Sequence, residues 1–466
     1  MVAIITDAIK LQMMQDVFDD LADSASSSYY LAVAKSEEWN DSDTPITPVN
    51  TQREQRNFRL GTQAVKRITD FTFTVPRYNW SFGGVYSAYS DNVAGYPLSP
   101  YYVITEDNAV YICIKQSKTG SIANPSSVKP TGTSATPFTT ADGYIWKFLY
   151  TIGTLNASKF LTANYMPVQK IALVDSDSLA VEIEQKTIQD AAIPGEISGL
   201  RITTGGIGYD DTPAPTISII GNGTGATGLV TVTNGVITAV ELDESAGSVV
   251  GGTGFDYAEC KIIGGGSPST AAVIQPIIGP KNGFGADPRI DLKSSAIMFN
   301  VIPDSDEEGE WVIGNAFRQL GIIKNPKVGD LGSDSDFTGA AGNTLKSLQF
   351  ASISSSYTVG STIVGASSGA KGIIDKIIGT GNASVIYYHQ TEATGFSDFQ
   401  EAEAVTEANG LAGSGVLKSA GFDADSRAWD YPTVDPFSGE LLYIDNRAKI
   451  DRLDGQAEDI KVIIQL

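Results

Sequence analysis

The sequence predicts a mainly β protein with a few helices: a β-sandwich-like core, an N-terminal helix and two small inserted β modules. Three observations carry this reading. The first is composition: 48 Gly, 20 Pro, only 18% charged residues and frequent Tyr and Phe, the balance of a turn-rich β protein. The second is alternation. At the C-terminus Ile460, Val462, Ile464 and Leu466 alternate with Asp459, Lys461 and Gln465, the period of a strand with one buried face. A terminus tied into a sheet completes a core begun earlier. The third is that two Gly-rich stretches interrupt segments of a different character.

The chain divides accordingly into core residues 1–195, a Gly-rich insertion at 196–282, a second core part at 283–328, a second insertion at 329–425, and closing strands at 426–466. In the first part, Ile5, Ile9, Met13, Val17 and Leu21 recur every fourth position, widened by Met14 and Phe18. That spacing predicts a helix over 4–22 docked on a core, with Asp16, Asp19 and Asp20 facing away. Tyr29 to Ala34 reads as a strand, 51–70 as helical, and Phe71 to Val75 as a strand stopped by Pro76. YYVITEDNAVYICIK (101–115) reads as a hairpin turning at Glu106 to Ala109, with Val110, Ile112 and Ile114 on one face. DGYIWKFLYTI (142–152) and Pro167 to Val174 follow as strands.

The first insertion carries a degenerate repeat. GIGY (206–209) recurs as GTGF (252–255) at an offset of 46, and IIG (219–221) recurs at 262–264 at 43. Ala226-Thr227 recurs as Ser269-Thr270, also at 43. Each unit reads as a Gly turn, a strand, a second Gly turn and a strand; two units make a small β module, not a solenoid. In the second insertion Tyr357, Ile363, Gly372 and Ile374 answer to Phe399, Val405, Gly415 and Leu417 at offsets of 42 then 43, again two strand–turn–strand units. Between the insertions lie an apolar strand within 291–302, an acidic turn DSDEEGEW (304–311) and NAFRQLGIIKNP (315–326). After Trp429 the closing segment runs from an apolar stretch, Leu441 to Ile444, through a polar one, Asp445 to Gly455, to the last strand. These closing strands are expected to pair with strands of the first 195 residues.

Charge and cysteine content exclude several classes. A net charge of −22 argues against a grip on nucleic acid, which needs a basic face, and against an anionic membrane surface. It suits a soluble chain whose partners carry basic patches. Cys113 and Cys260 read as small apolar residues inside strands, so no disulfide framework is expected, in keeping with a reducing cytoplasm. The N-terminus lacks the basic and apolar regions of a signal peptide. No apolar run approaches the ~18 residues that span a bilayer.

The motifs with chemical potential read as structural. The one histidine, His389, has no G-x-S-x-G nucleophile to serve. Gly223, Gly225 and Gly228 spell G-x-G-x-x-G, but a β-branched strand sequence follows where a dinucleotide site needs a helix. Asp304, Asp306, Glu308 and Gly309 imitate the start of a calcium loop, yet its twelfth position is Asn315 where a bidentate Glu is required. With 54 acidic residues, no spacing singles out a carboxylate pair for glycoside hydrolysis. No catalytic, cofactor or metal site is expected. Trp39, Tyr78, Trp80 and Trp429, next to turns, are the candidate partner-interface residues, because buried aromatics dominate protein contacts.

KSEEW (35–39), VPRYNW (75–80), DGYIWKFLYTI (142–152), GFGADPRIDL with NAFRQLGIIKNP (283–326), and SGELLYIDNRAKI with EDIKVIIQL (438–466) occur in this order. Together they resemble a baseplate wedge subunit of T-even-like contractile-tailed phages, the one that bridges the inner wedge and the peripheral baseplate. The resemblance covers 1–195, 283–328 and about 426–466, and the two Gly-rich insertions resemble modules of cyanophage structural proteins. It implies a homodimeric, non-enzymatic virion protein. Such a protein is assembled in the host cytoplasm, contacts other wedge proteins and the tail-fibre network, and needs no cofactor. The other reading is a receptor- or glycan-binding tail adhesin with the insertions as binding modules.

Overall fold

A computed structural model describes residues 4–465 except 41, 94, 97–98, 121, 244–250, 330–332, 420–428 and 454, so the boundary at 425/426 and Leu466 lie outside the described residues. The protein is mainly β, 39% strand and 12% helical. It forms two compact units: Met1–Asp16 with Thr72–Met298 and Ile463–Leu466, and Val17–Phe71 with Phe299–Val462.

The N-terminal helix α1 (Asp7–Ala22) forms, but its apolar stripe does not all dock. Met14 and Leu21 are buried, whereas Ile5, Ile9 and Met13 are 61%, 53% and 47% exposed. Apolar residues at every fourth position drift about 40° per step, so the stripe turns by roughly 160° between Ile5 and Leu21. The docking face is the one carrying Leu21 and Phe18, whose ring meets Phe71 edge-on at 5.0 Å. Asp20 does not face away either. It accepts from Ser27 Oγ at 2.7 Å and pairs with the Tyr29 hydroxyl and Lys324. Burial opposes ionisation there, but these partners hold its pKa at about 2.

β1 (Tyr29–Ala34) is buried along its whole length. The stretch 51–70 is helical only as α2 (Gln52–Leu60), where the Thr51 side chain caps the Glu54 N–H. Gly61 ends it, and the remainder is β2 (Thr62–Arg67), antiparallel to β1. Tertiary pairing here overrides a helix-compatible composition. β3 (Asp70–Pro76) comes next. The expected hairpin is β4 (Tyr102–Ile104) with β5 (Ala109–Lys115). After a two-residue-strand hairpin, β6 (Lys118–Thr119) and β7 (Ile122–Ala123), come β8 (Phe138–Thr139) and β9 (Ile145–Thr151), giving a sheet ordered β4-β5-β9-β8. Both faces of β5 are buried: Val110 and Ile112 on one, Tyr111 and Cys113 on the other, the latter within a cluster of Tyr86, Tyr144, Trp146 and Phe148.

Helix α3 (Thr154–Phe160) precedes β10 (Tyr165–Val168), which pairs with β3. The strand expected from Pro167 to Val174 stops at Val168 because α4 (Ala180–Asp190) takes over its backbone groups. Gln189 Oε1 accepts from Ile171 N at 2.9 Å, Gln189 Nε2 donates to Ile171 O at 2.8 Å, and Gln185 Nε2 donates to Gln169 O at 2.7 Å.

The first insertion contains six strands, β11 (Ile197–Thr204), β12 (Thr216–Gly221), β13 (Gly228–Thr233), β14 (Val236–Leu242), β15 (Ala258–Ile263) and β16 (Val273–Ile278). A sheet ordered β14-β13-β12-β15 and the pair β11-β16 enclose one core of Tyr209, Ile217, Ile237 and Ile274. Each half thus holds three strands, one more than the repeat suggests. The halves are interlocked. Ile207 of the first GxG motif bridges Thr270, and Thr253 of the second bridges Thr224. Gly206 (φ +67°) and Gly252 (φ +65°) are therefore equivalent; a Cβ there would stand 2.6 Å from Thr270 O and 2.4 Å from Thr224 O. Positive φ and backbone proximity both demand glycine. In the strands the offset of 43 holds, because Ser218 pairs with Lys261 at the centre of the β12–β15 ladder. In the bridging loops it is 46, so that Ile207 answers to Thr253 and Thr224 to Thr270.

α5 (Pro288–Asp291) and β17 (Ala296–Val301) return the chain to the core, followed by β18 (Asn315–Lys324) and β19 (Ala341–Asn343). The second insertion again has six strands: β20 (Lys346–Ser355), β21 (Thr362–Gly365), β22 (Lys371–Ile378), β23 (Val385–His389), β24 (Ala404–Glu407) and β25 (Ser414–Leu417). They run β23-β22-β21-β24-β25-β20, and β20 pairs with β23 to close a barrel. The repeat pairs as its offsets require: Ile363 with Gly372, Val405 with Gly415. Val364 opposite Thr406 marks the pseudo-twofold. The aromatic pairs Phe350–Tyr357 and Tyr388–Phe399 both stand at 5.3 Å. The pairs β21–β24 and β20–β25 answer to β12–β15 and β11–β16 of the first insertion, which hydrogen-bonds as a four-stranded sheet and a separate pair and not as one closed ladder.

β26 (Trp429–Asp430) adds to β20. β27 (Glu440–Arg452) then continues into the stretch read as polar as far as Arg452, because β18 pairs with it over that length and Gln319 Nε2 donates to Asn446 Oδ1 at 2.8 Å. The core sheet is ordered β19-β2-β1-β18-β27, and β28 (Ile460–Gln465) ends a sheet ordered β10-β3-β17-β28. The closing strands pair with β18 and β17, both from 283–328, and not with strands of the first 195 residues, which they meet through side chains such as Arg59 and Asn446.

Candidate functional site

The second barrel carries an unexpected charge in its wall. Within β22 the apolar run Ile373-Ile374 continues into Asp375, which is fully buried. β23 places His389 beside it, with Nδ1 2.5 Å from Asp375 Oδ2. The other ring nitrogen, Nε2, is 3.1 Å from Glu37 Oε1, 352 residues away in the segment after β1. Burial pushes the imidazole toward neutrality, but the two carboxylates overrule it and raise its pKa from 6.5 to about 10. Burial likewise pushes Glu37 up, and the His389 hydrogen bond and charge bring it down to about 2. His389 is therefore an imidazolium donating to a carboxylate from each nitrogen, a buried acid–base–acid triad. Neither nitrogen is left to take a proton from a nucleophile. Asp375 Oδ1 has no hydrogen-bond partner, so the charge of Asp375 rests on His389.

Glu37 is held in place by its neighbours. Trp39 Nε1 donates to Arg447 O at 2.8 Å, and Lys35 Nζ stands 4.8 Å over the Trp39 ring. Asp43 accepts from Trp39 N at 3.1 Å and takes both guanidinium arms of buried Arg318, at 2.7 and 2.8 Å. The Arg318 hydrogen bond draws the Asp43 pKa down to about 2. Two further ties join the barrel to its unit. Glu392 pairs with Arg53 at 3.3 Å and with Arg56. Lys376 Nζ donates to Gly309 O at 2.9 Å.

The acidic turn does structural duty. Glu307 pairs with Lys66 at 2.6 Å. Glu310 Oε2 accepts from Asn343 N at 2.7 Å, Asn343 Nδ2 at 3.0 Å and Thr433 Oγ1 at 2.7 Å. It thus holds together the two points where the chain leaves the core for the second barrel and returns. Of the G-x-G-x-x-G glycines, Gly223 and Gly225 lie between β12 and β13, and Gly228 opens β13. Both cysteines are free, and burial raises both thiols, Cys260 to about 11. Among the described residues no group of three or more His, Cys, Asp or Glu side chains could hold a metal ion, and no helix is long and apolar enough to cross a membrane.

The four candidate interface aromatics are not brought together. Trp39 is the half-buried support of the Glu37 segment. Tyr78 meets Tyr102 edge-on at 5.2 Å, and Trp80 Nε1 donates to Ser126 Oγ at 3.2 Å. Trp429 is buried in the second barrel's core with Lys346 4.1 Å over its ring. Sequence reasoning passed over Glu37, Asp375 and Glu392. The available signal was an aspartate inside an apolar strand within reach of the one histidine. No family model matches the chain, and no curated protein matches its sequence.

Proposed function

We propose that this chain is a structural subunit of a contractile phage tail baseplate. It would act as a homodimer that bridges wedge proteins, supports peripheral and fibre attachment, and transmits the contraction trigger through protein–protein contacts. One observation carries the proposal. The segments that resemble the wedge subunit form the core sheets: DGYIWKFLYTI is β9, NAFRQLGIIKNP is β18, SGELLYIDNRAKI is β27 and EDIKVIIQL is β28. Most strands outside the resemblance pair among themselves, as a sheet and a strand pair in 196–282 and as a closed barrel in 329–425. The exceptions are β19, which lies in the second insertion but pairs with β2, and β26, which lies after it but pairs with β20. The occupied state of both His389 nitrogens supports a structural role for that residue. On the adhesin reading the insertions would need exposed aromatic platforms, but in the first Tyr209 and Phe255 are interior and only Tyr257 is exposed, and in the second Phe396 is the one strongly exposed aromatic among the described residues.

The test is the mass of the purified chain in solution at micromolar concentration, followed by its location in an electron cryo-microscopy map of an intact baseplate. A dimer seated between wedge subunits is expected. A monomer absent from the baseplate overturns the proposal.

A further inference from the structure

We infer that the second barrel is a hinged arm, held against its own unit by a charged latch and able to leave it as a rigid body. This stands apart from the baseplate reading. Three observations carry it. First, the barrel is complete in itself. Its six strands close, and its core of Leu348, Phe350, Ile374, Tyr388 and neighbours draws every member from residues 348–431, while the core sheet's cluster around Tyr30, Phe58 and Ile323 is separate. A body with its own closed ladder and its own apolar core does not need its neighbour to stay folded.

Second, the seam is made by charge. Glu37 to His389, Arg53 and Arg56 to Glu392, and Lys376 to Gly309 O are its named ties. They form two tiers. The Glu392 pairs are solvent-exposed, with Arg53 74% and Arg56 54% exposed, so they hold weakly and yield to salt. The His389 side chain is 3% exposed, and that tie is screened far less. Charged ties are directional and reversible, and a competing charge can take either partner, whereas an apolar seam would have to expose its surface to open.

Third, the chain passes into and out of the barrel through one narrow stem. Asn343 Nδ2 and Thr433 Oγ1 are 3.0 Å apart and share Glu310. A stem where the chain crosses twice at one place and a charged tie at another are the parts of a hinge and a latch. Opening requires separation of Glu37 from His389, which leaves His389 paired with Asp375 inside the barrel.

The experiment is hydrogen–deuterium exchange on the full chain at neutral pH, comparing wild type with the double variant Glu37→Gln, Glu392→Gln. Both carboxylate side chains reach solvent, at 31% and 42% exposed, so neither change loads the barrel interior. Amide exchange in 35–39 and 390–392 should accelerate by about tenfold or more, with protection of β20–β25 unchanged. Unchanged exchange in both seam segments overturns the latch. Lost protection throughout β20–β25 overturns the rigid body, because the ties would then belong to the barrel's own fold. A third variant, Glu310→Gln, keeps the seam and alters the stem. It should leave 390–392 protected, and loss of that protection would mean that stem and latch are one contact and not two.

Discussion

His389 shows how far a single residue can be read in isolation. Its place in a β-branched strand without a nucleophile motif identifies it as structural. Its partners are another matter. Asp375 is 14 residues away and Glu37 is 352, so the triad exists only once β22, β23 and the segment after β1 are assembled. The signs of the shifts set the pH dependence. His389 is raised to about 10 from 6.5, so its contribution is complete below pH 6.5 and is lost as pH rises through 10. Glu37 is lowered to about 2 from 4.5, so its contribution is complete above pH 4.5 and is lost as pH falls through 2. The difference in unfolding free energy between wild type and His389→Gln should therefore be largest near pH 5–6 and shrink toward pH 10. At its maximum, breaking the pair should cost about 3–5 kcal/mol, because buried Asp375 loses its partner. The double variant Asp375→Asn, His389→Gln should recover much of that loss in denaturant melts. A flat pH profile would show that His389 is neutral. Asp291 makes the opposite case: burial raises its carboxyl well above the ordinary value. Such a group weakens the fold as pH rises above the unfolded pKa, and Asp291→Asn should melt no lower than wild type at about pH 7.

At the scale of the element, what is legible in the sequence is whatever rests on local chemistry. The glycine repeats are visible because Gly206 and Gly252 need the same positive φ and close backbone approach, while Gly372 and Gly415 each lie against an aromatic ring, Tyr388 and Phe350. The third strand of each half is not, because β11 and β14, or β20 and β23, share a place in the barrel without sharing residues. The helix read over 51–70 is too long because TQAVKR suits a helix in composition and becomes β2 only by pairing with β1. The α1 stripe misleads for a geometric reason, the drift of a four-residue repeat around a 3.6-residue helix. The equivalence of the interlocked halves can be tested. Gly206→Ala and Gly252→Ala should each cost at least about 1–3 kcal/mol from backbone strain alone, and the two losses should be similar, since both added methyls meet a carbonyl oxygen at 2.6 Å or less. Thermal melts in which one variant is silent would show that the halves are not equivalent.

For the whole molecule, the division into a core and two insertions makes a demand on the chain ends of each insertion: they must lie close enough for the core to close without them. Both pairs do. Gly279 N donates to Glu196 O at 2.9 Å, and Asn343 Nδ2 donates to Thr433 Oγ1 at 3.0 Å. The boundaries drawn from composition need adjustment at the second site. β19 (Ala341–Asn343) is the edge strand of the core sheet, paired with β2, and β26 (Trp429–Asp430) belongs to the barrel, paired with β20. Composition could not separate these, because a three-residue edge strand and a two-residue addition carry no periodicity. Replacing 197–278, or 346–430, by a short Gly-Ser linker should therefore leave a core that unfolds cooperatively. Removing 330–424 should do worse: it strips β2 of its neighbour, takes Asn343 from Glu310, and leaves the apolar face of Trp429 without the barrel core it fills. Calorimetry on the three deletions checks this. Cooperative transitions for the first two and a lowered or broadened one for the third are expected. Loss of cooperativity in the first two would mean that the barrels are part of the core and not inserted into it.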